Sequence, residues 1–157
     1  MSINDLLHPS AEHIGDDEFP WARVGPDIEL KVLQVRVSEG LWVIRNRFAP
    51  GVEVAPHRHT GQVFGITYSG RWGYNENDFF NTAGSYLFEP ANSVHTLYTP
   101  EDNTEITDVL FVIYGANLNL AADGNVESVT DGSAVLQGYY QALEAMGIAR
   151  PPVLVED

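Results

Sequence analysis

From Ile28 the chain alternates between apolar and polar positions with a period of two. "IELKVLQVRV" and "LWVIRNRF" both read as strands. The second sets Trp42, Ile44, Asn46 and Phe48 on one face and Leu41, Val43, Arg45 and Arg47 on the other. "VFGITYSGRWGYNE" predicts two strands around a Ser69–Gly70 hairpin turn. "TAGSYLFEPANSVHTLY" predicts two short strands broken by Pro90 and Asn92, and "EITDVLFVIYG" one long apolar strand. "NLNLAADGNVESV" predicts a hairpin that turns at Asp123–Gly124. Only residues 133–146 carry a helical period, with Leu136, Tyr139, Tyr140 and Leu143 on one face and Gly147 as the stop. Residues 1–27, broken by Pro9, Pro20, Gly25 and Pro26, read as an arm. The pattern predicts an all-β sandwich or barrel over about 28–128, followed by a C-terminal helix at about 132–147.

Length and composition fit one domain: 157 residues, 44% of them hydrophobic. No apolar run approaches the ~20 residues a bilayer requires. The start of the chain, "MSINDLLHPSAEH", lacks the features of a secretory signal. There is no cysteine, which removes disulfides, thiolate ligands and a thiol nucleophile. A cytoplasmic address is the expectation. Net charge is −14, with eight Lys plus Arg. Such a chain repels phosphate backbones and anionic membranes, so neither nucleic acid nor membrane is expected as a partner.

The chemistry-bearing feature is "APHRHTGQVFG". On a strand, His57 and His59 project to the same side with Cα atoms about 7 Å apart. Both imidazoles can then reach one ion at bonds of ~2.0–2.2 Å. His95, after the Gly- and Pro-bearing stretch "GSYLFEPANSV", is the best further ligand; His8 and His13 lie in the arm and are set aside.

The spacing Gly51, His57, His59, Gly70 and then Gly84, Pro90, His95 resembles the two motifs of the cupin superfamily, G(x)5HxH(x)3–4E(x)6G and G(x)5PxG(x)2H(x)3N. The resemblance implies a double-stranded β-helix, or jelly-roll barrel, that holds a metal on His57, His59 and His95. Nearly all fixed positions are met, and two departures carry information. The acidic position of the first motif falls on Val63, and the glycine of the second is Asn92, a residue that also enters left-handed backbone. If Ser69–Gly70 is a two-residue turn, Val63 lies opposite Glu76, and a carboxylate returns to the site from the neighbouring strand.

Three imidazoles without a carboxylate leave a divalent ion's charge uncompensated, which favours an anionic, chelating substrate such as an enolate. The runs "TGQVFGITYSGRWGYNEND" and "EPANSVHTLYTPED" and the tail "GYYQALEAMG" further resemble the 2,4′-dihydroxyacetophenone dioxygenase group, and more distantly the acetylacetone-cleaving dioxygenases. That resemblance implies Fe(II), or Zn, Ni or Mn as isolated. It implies cleavage by O2 of a C–C bond beside a carbonyl in a small enolisable ketone. A homodimer or homotetramer is expected. Glu76 and Tyr98 are the candidate catalytic residues; Arg47, Phe64 and Trp72 are the candidate substrate contacts. The competing readings are a zinc-binding regulatory sensor without turnover and a metal-dependent isomerase.

Overall fold

A computed structural model describes residues 11–157; His8 lies outside them. The strands predicted from Ile28 onward form largely where alternation places them, while Ala22–Gly25, inside the segment read as an arm, and Leu154–Glu156, past the predicted helix, are strands the sequence reading did not place. β1 (Ala22–Gly25), β2 (Ile28–Arg36), β3 (Leu41–Phe48), β4 (His57–His59), β5 (Val63–Ser69), β6 (Gly73–Tyr74) and β7 (Tyr86–Glu89) come first. β8 (Val94–His95), β9 (Leu97–Tyr98), β10 (Thr107–Tyr114), β11 (Asn117–Leu120) and β12 (Val126–Thr130) follow, then α1 (Gly132–Ala145) and β13 (Leu154–Glu156).

The larger sheet runs β1-β2-β3-β10-β5-β7, with β13 parallel to β2. A smaller sheet runs β12-β11-β4-β8, and β6 pairs with β9. The fold is mostly β with one late helix, as expected. The alternation in β3 resolves as read: Trp42, Ile44 and Phe48 are buried, while Arg45 and Arg47 point away. The core lies between the sheets, where Val32, Trp42, Val63, Trp72, Tyr74 and Val109 are almost wholly excluded from solvent. Burying an aliphatic or aromatic side chain of this kind stabilises by roughly 1.5–3 kcal/mol.

α1 closes over β1 and β2. Asp131 caps it by accepting from Ala134 N at 2.8 Å. Its apolar stripe buries Tyr139 and Leu143, and the Tyr139 hydroxyl donates to Pro20 O at 2.6 Å, tying the helix to the arm. No helix among the described residues is long and apolar enough to cross a membrane.

The hairpin around Ser69–Gly70 does not form. Gly70 has φ +77°, and a Cβ there would lie 2.4 Å from Thr107 Cα, so only glycine passes. Beyond it the chain leaves the sheet: β5 pairs with β10 and β7, while β6 crosses to β9. The local turn signal is real, but the strands it joins are not partners. The outer face of β5 and β7 is left uncovered, with Ile66, Tyr68 and Phe88 about half exposed and Tyr86 about two-thirds.

Candidate metal centre

β4 and β8 bring the three histidines together. His57 pairs directly with His95 across the antiparallel ladder, and directly opposed residues project to one face. His59, two residues on, shares that face. The His57 and His59 Nε2 atoms are 3.1 Å apart and their rings meet edge to face at 4.7 Å. His59 and His95 ring centroids are 5.8 Å apart. Asn92, at the turn before β8, has φ +69°, the left-handed conformation that the motif's glycine would take. Thr99 stands where the second motif ends in asparagine. Its hydroxyl accepts from Val52 N at 2.9 Å and donates to Ala49 O at 2.7 Å, so it fastens β9 to the loop that leads into β4.

A carboxylate completes the group, from a residue the sequence reading passed over. Glu89 ends β7 with 1% exposure and pairs with Val63 of β5. Its Oε2 is 2.9 Å from His59 Nε2 and 4.0 Å from His95 Nε2. Its Oε1 accepts a hydrogen bond from the Tyr74 hydroxyl, and the Tyr74 ring stacks on His95 at 4.2 Å. The signal was present in "YLFE": Glu89 shares the inward face with Leu87, and an acid on a buried strand face needs a partner.

Burial pushes the His57 imidazolium down to about 4, helped by neighbouring His59. Burial likewise lowers His95, against the pull of Glu89. Both rings are therefore neutral at neutral pH, with lone pairs available. His57 Nδ1 lies 3.3 Å from Ala55 O. A carbonyl can only accept, so in the neutral ring the proton sits on Nδ1 and Nε2 is left free. His59 Nδ1, both ring nitrogens of His95 and Glu89 Oε2 are buried without a hydrogen-bond partner among the described residues. The Glu89–His59 contact is close in distance but not aligned as a hydrogen bond. As they stand, no three or more His, Asp or Glu among the described residues are arranged to hold a metal ion. What they form is a set of donors within one another's reach, three of whose residues carry unsatisfied buried atoms.

A cavity of about 190 Å³ opens beside His57, His59 and Glu89. Ile44, Phe48, Val63, Leu97, Phe111 and Ile113 make most of its wall, with Tyr74 and three asparagines, Asn46, Asn117 and Asn119. His95 is not among the residues that line it.

The other sequence candidates lie elsewhere. Glu76 is exposed and accepts from Thr96 N at 2.9 Å and Thr96 Oγ1 at 2.7 Å, so it braces the residue after His95 and does not face the cavity. Its placement opposite Val63 depended on the hairpin that does not form; the residue opposite Val63 is Glu89. Arg47 lies on the outer face of β3, 4.0 Å over the Trp21 ring and 3.4 Å from Asp108. Trp72 is fully buried, donating to Thr67 Oγ1 at 2.9 Å and packing on Phe111 and Tyr74. Phe64 packs on Phe88 outside the barrel, and Tyr98 packs against Phe80. None of these five lines the cavity.

Residues 10–116 match the family described as the ChrR cupin-like domain. No curated protein matches the chain in sequence. Among solved structures, a cupin-fold protein of unknown function from Ralstonia eutropha is 29% identical, with a TM-score of 0.88 over 96% of each chain. An acetylacetone dioxygenase from Acinetobacter johnsonii is 16% identical, with a TM-score of 0.72 over 87% of this chain and 95% of that one. The anti-sigma ChrR, solved in complex with SigE from Rhodobacter sphaeroides, reaches a TM-score of 0.50 at 15% identity, over 59% of this chain and 47% of that one. The last two share the fold.

Proposed function

The chain belongs to the ChrR cupin-like domain family, and we propose that within it this protein is an Fe(II)-dependent dioxygenase. Its reaction is the cleavage of a C–C bond beside the carbonyl of a small enolisable ketone. The observation that carries the metal is the convergence of the His59 Nε2, His95 Nε2 and Glu89 Oε2 atoms beside His57 Nε2, with His95 Nε2 and Glu89 Oε2 buried and unpartnered among the described residues. Leaving buried polar atoms unpaired costs about 1–3 kcal/mol each, and a divalent ion would satisfy donors of this kind together. Three imidazoles and one carboxylate suit a first-row transition metal.

In this reading His57, His59, His95 and Glu89 hold the ion. When bound, Fe(II) would supply Lewis acidity and a redox route by which electrons of the substrate's enolate and its breaking C–C bond reach dioxygen. Glu89 cancels one of the ion's two positive charges, and the Tyr74 hydroxyl fixes the carboxylate in place. A ligand that brings one further negative charge then leaves the cavity neutral. That favours a mono-deprotonated ketone over a dianion. The apolar wall keeps bulk water from the ligand, and the small volume limits its size.

A zinc-binding sensor is the second reading, favoured by the family match itself. The same four donors would serve it, with no turnover. The experiment that separates the two is oxygen uptake. Metal-stripped protein is loaded with Fe(II) without air, then given O2 and a panel of β-diketones and hydroxyacetophenones. Uptake that requires iron and one panel member supports the dioxygenase. Tight zinc binding with no uptake for any member supports the sensor.

A further inference from the structure

β11 reads "NLNL", and its two inward positions are asparagines where an apolar barrel would take Val or Ile. Asn117 is directly opposite His59 and Asn119 directly opposite His57. Both therefore project toward the face that carries the imidazoles, and both line the cavity. Asn119 has its amide nitrogen committed: Nδ2 donates to Ser128 Oγ and Thr130 Oγ1, each at 3.0 Å. Asn117 has no such anchor. Its Oδ1 is buried and accepts no hydrogen bond among the described residues. Neither Lys nor Arg lines the cavity, so nothing on its wall would neutralise a ligand's own carboxylate.

We propose that Asn117 is a specificity-determining residue of this site, whose Oδ1 accepts a hydrogen bond from a hydroxyl of the substrate. The inference rests on the reading of the cavity as a ketone site, and it narrows the substrate to a hydroxy-ketone whose one negative charge, once bound, is that of its enolate. A carboxylate in addition to that enolate finds no cationic side chain here. A ketone without the hydroxyl leaves Asn117 unpaired, and an unpaired buried group is what a hydrogen-bonding site uses to reject an analogue.

Isothermal titration calorimetry on the zinc-loaded protein, which cannot turn over, tests this with two probes, 2-hydroxyacetophenone and acetophenone. The wild type is expected to bind the hydroxylated probe about tenfold more tightly, the worth of one buried hydrogen bond. Asn117→Leu is expected to bring that ratio to about one while leaving acetophenone binding intact. Asn117→Ser, which withdraws the oxygen without adding bulk, is expected to do the same. Without ligand, Asn117→Leu is expected to melt at or above the wild-type temperature, because it removes an unsatisfied polar atom. A ratio unchanged in the variants, or an Asn117→Leu protein that melts lower or does not fold, overturns the inference and leaves the ketone reading standing. A wild type that binds neither probe overturns both.

Discussion

Val63 and Glu89 face each other across β5 and β7, one supplying a methyl-lined wall and the other a buried carboxylate. In the motif that the histidines follow, the acid belongs on the strand where Val63 stands. Here it has moved one strand over, to a position that points to the same face. The exchange predicts a compensated double variant. Glu89→Val is expected to lower metal affinity by at least roughly 10–100-fold, the scale for losing even a group that only supports a ligand. Val63→Glu together with Glu89→Val is expected to recover most of that loss. Competition with a chelating dye measures both; a double variant no better than Glu89→Val alone would contradict the exchange.

Acid is expected to weaken the metal-free protein in a defined window. The folded chain holds His57 near 4 against an ordinary value of 6.5, and holds His95 below its ordinary value as well. Between those limits the unfolded chain takes up protons that the folded chain refuses. Stability is therefore fully present above about pH 6.5, and falls as pH drops toward 4. Urea midpoints of metal-free protein at pH 7, 5.5 and 4.5 should decline in that order, and His57→Gln should flatten the decline. Protons compete with metal for the same nitrogens, so metal is expected to be released over the acid side of this range.

Arg47 is expected to be silent in substrate binding. It sits on the outer face of β3, above Trp21. Arg47→Ala should leave KM unchanged and cost about 1 kcal/mol of stability through the lost cation–π contact and the long 3.4 Å contact to Asp108. Its neighbour behaves differently. Arg45 grips Asp108 with Nε at 2.7 Å and the Nη2 amine at 2.8 Å, and Asp108 is 5% exposed. Asp108→Ala should destabilise by about 3 kcal/mol, because it leaves the largely buried Arg45 guanidinium with only the exposed Asp16 carboxylate as an ionic partner. Chemical denaturation of both variants checks the contrast.

Glu76 is expected to act on β8 rather than on chemistry. Its carboxylate holds both hydrogen-bond donors of Thr96, the residue after His95. Glu76→Gln should lower stability by about 1 kcal/mol with bound metal unchanged. Metal content per chain alongside a melting curve distinguishes this from a role in the site.

The sequence made the strands legible because each alternates on its own. β3 and the β11–β12 hairpin around Gly124 fall where the pattern places them, and so does the Leu136–Leu143 stripe of α1. The three histidines were legible because the spacing within "HRH" and the frame before His95 are local. Partnership was not legible. Which strand lies beside β5 is decided by sheet closure far along the chain, so a turn residue at Gly70 could not reveal that Val63 meets Glu89. The asparagines of β11 were missed for the same reason: "NLNL" looks like an ordinary hairpin strand until its register against β4 is known. β13, three residues that pair parallel to β2, carries no turn signal at all.

The most direct measurement is metal retained per chain. Protein loaded with Fe(II) under anaerobic conditions and passed through a desalting column is expected to keep about one iron per chain. His95→Ala, with its fold verified by circular dichroism, is expected to keep almost none. A wild type that emerges without metal, or a His95→Ala protein that holds as much as the wild type, would contradict a centre built on His57, His59, His95 and Glu89.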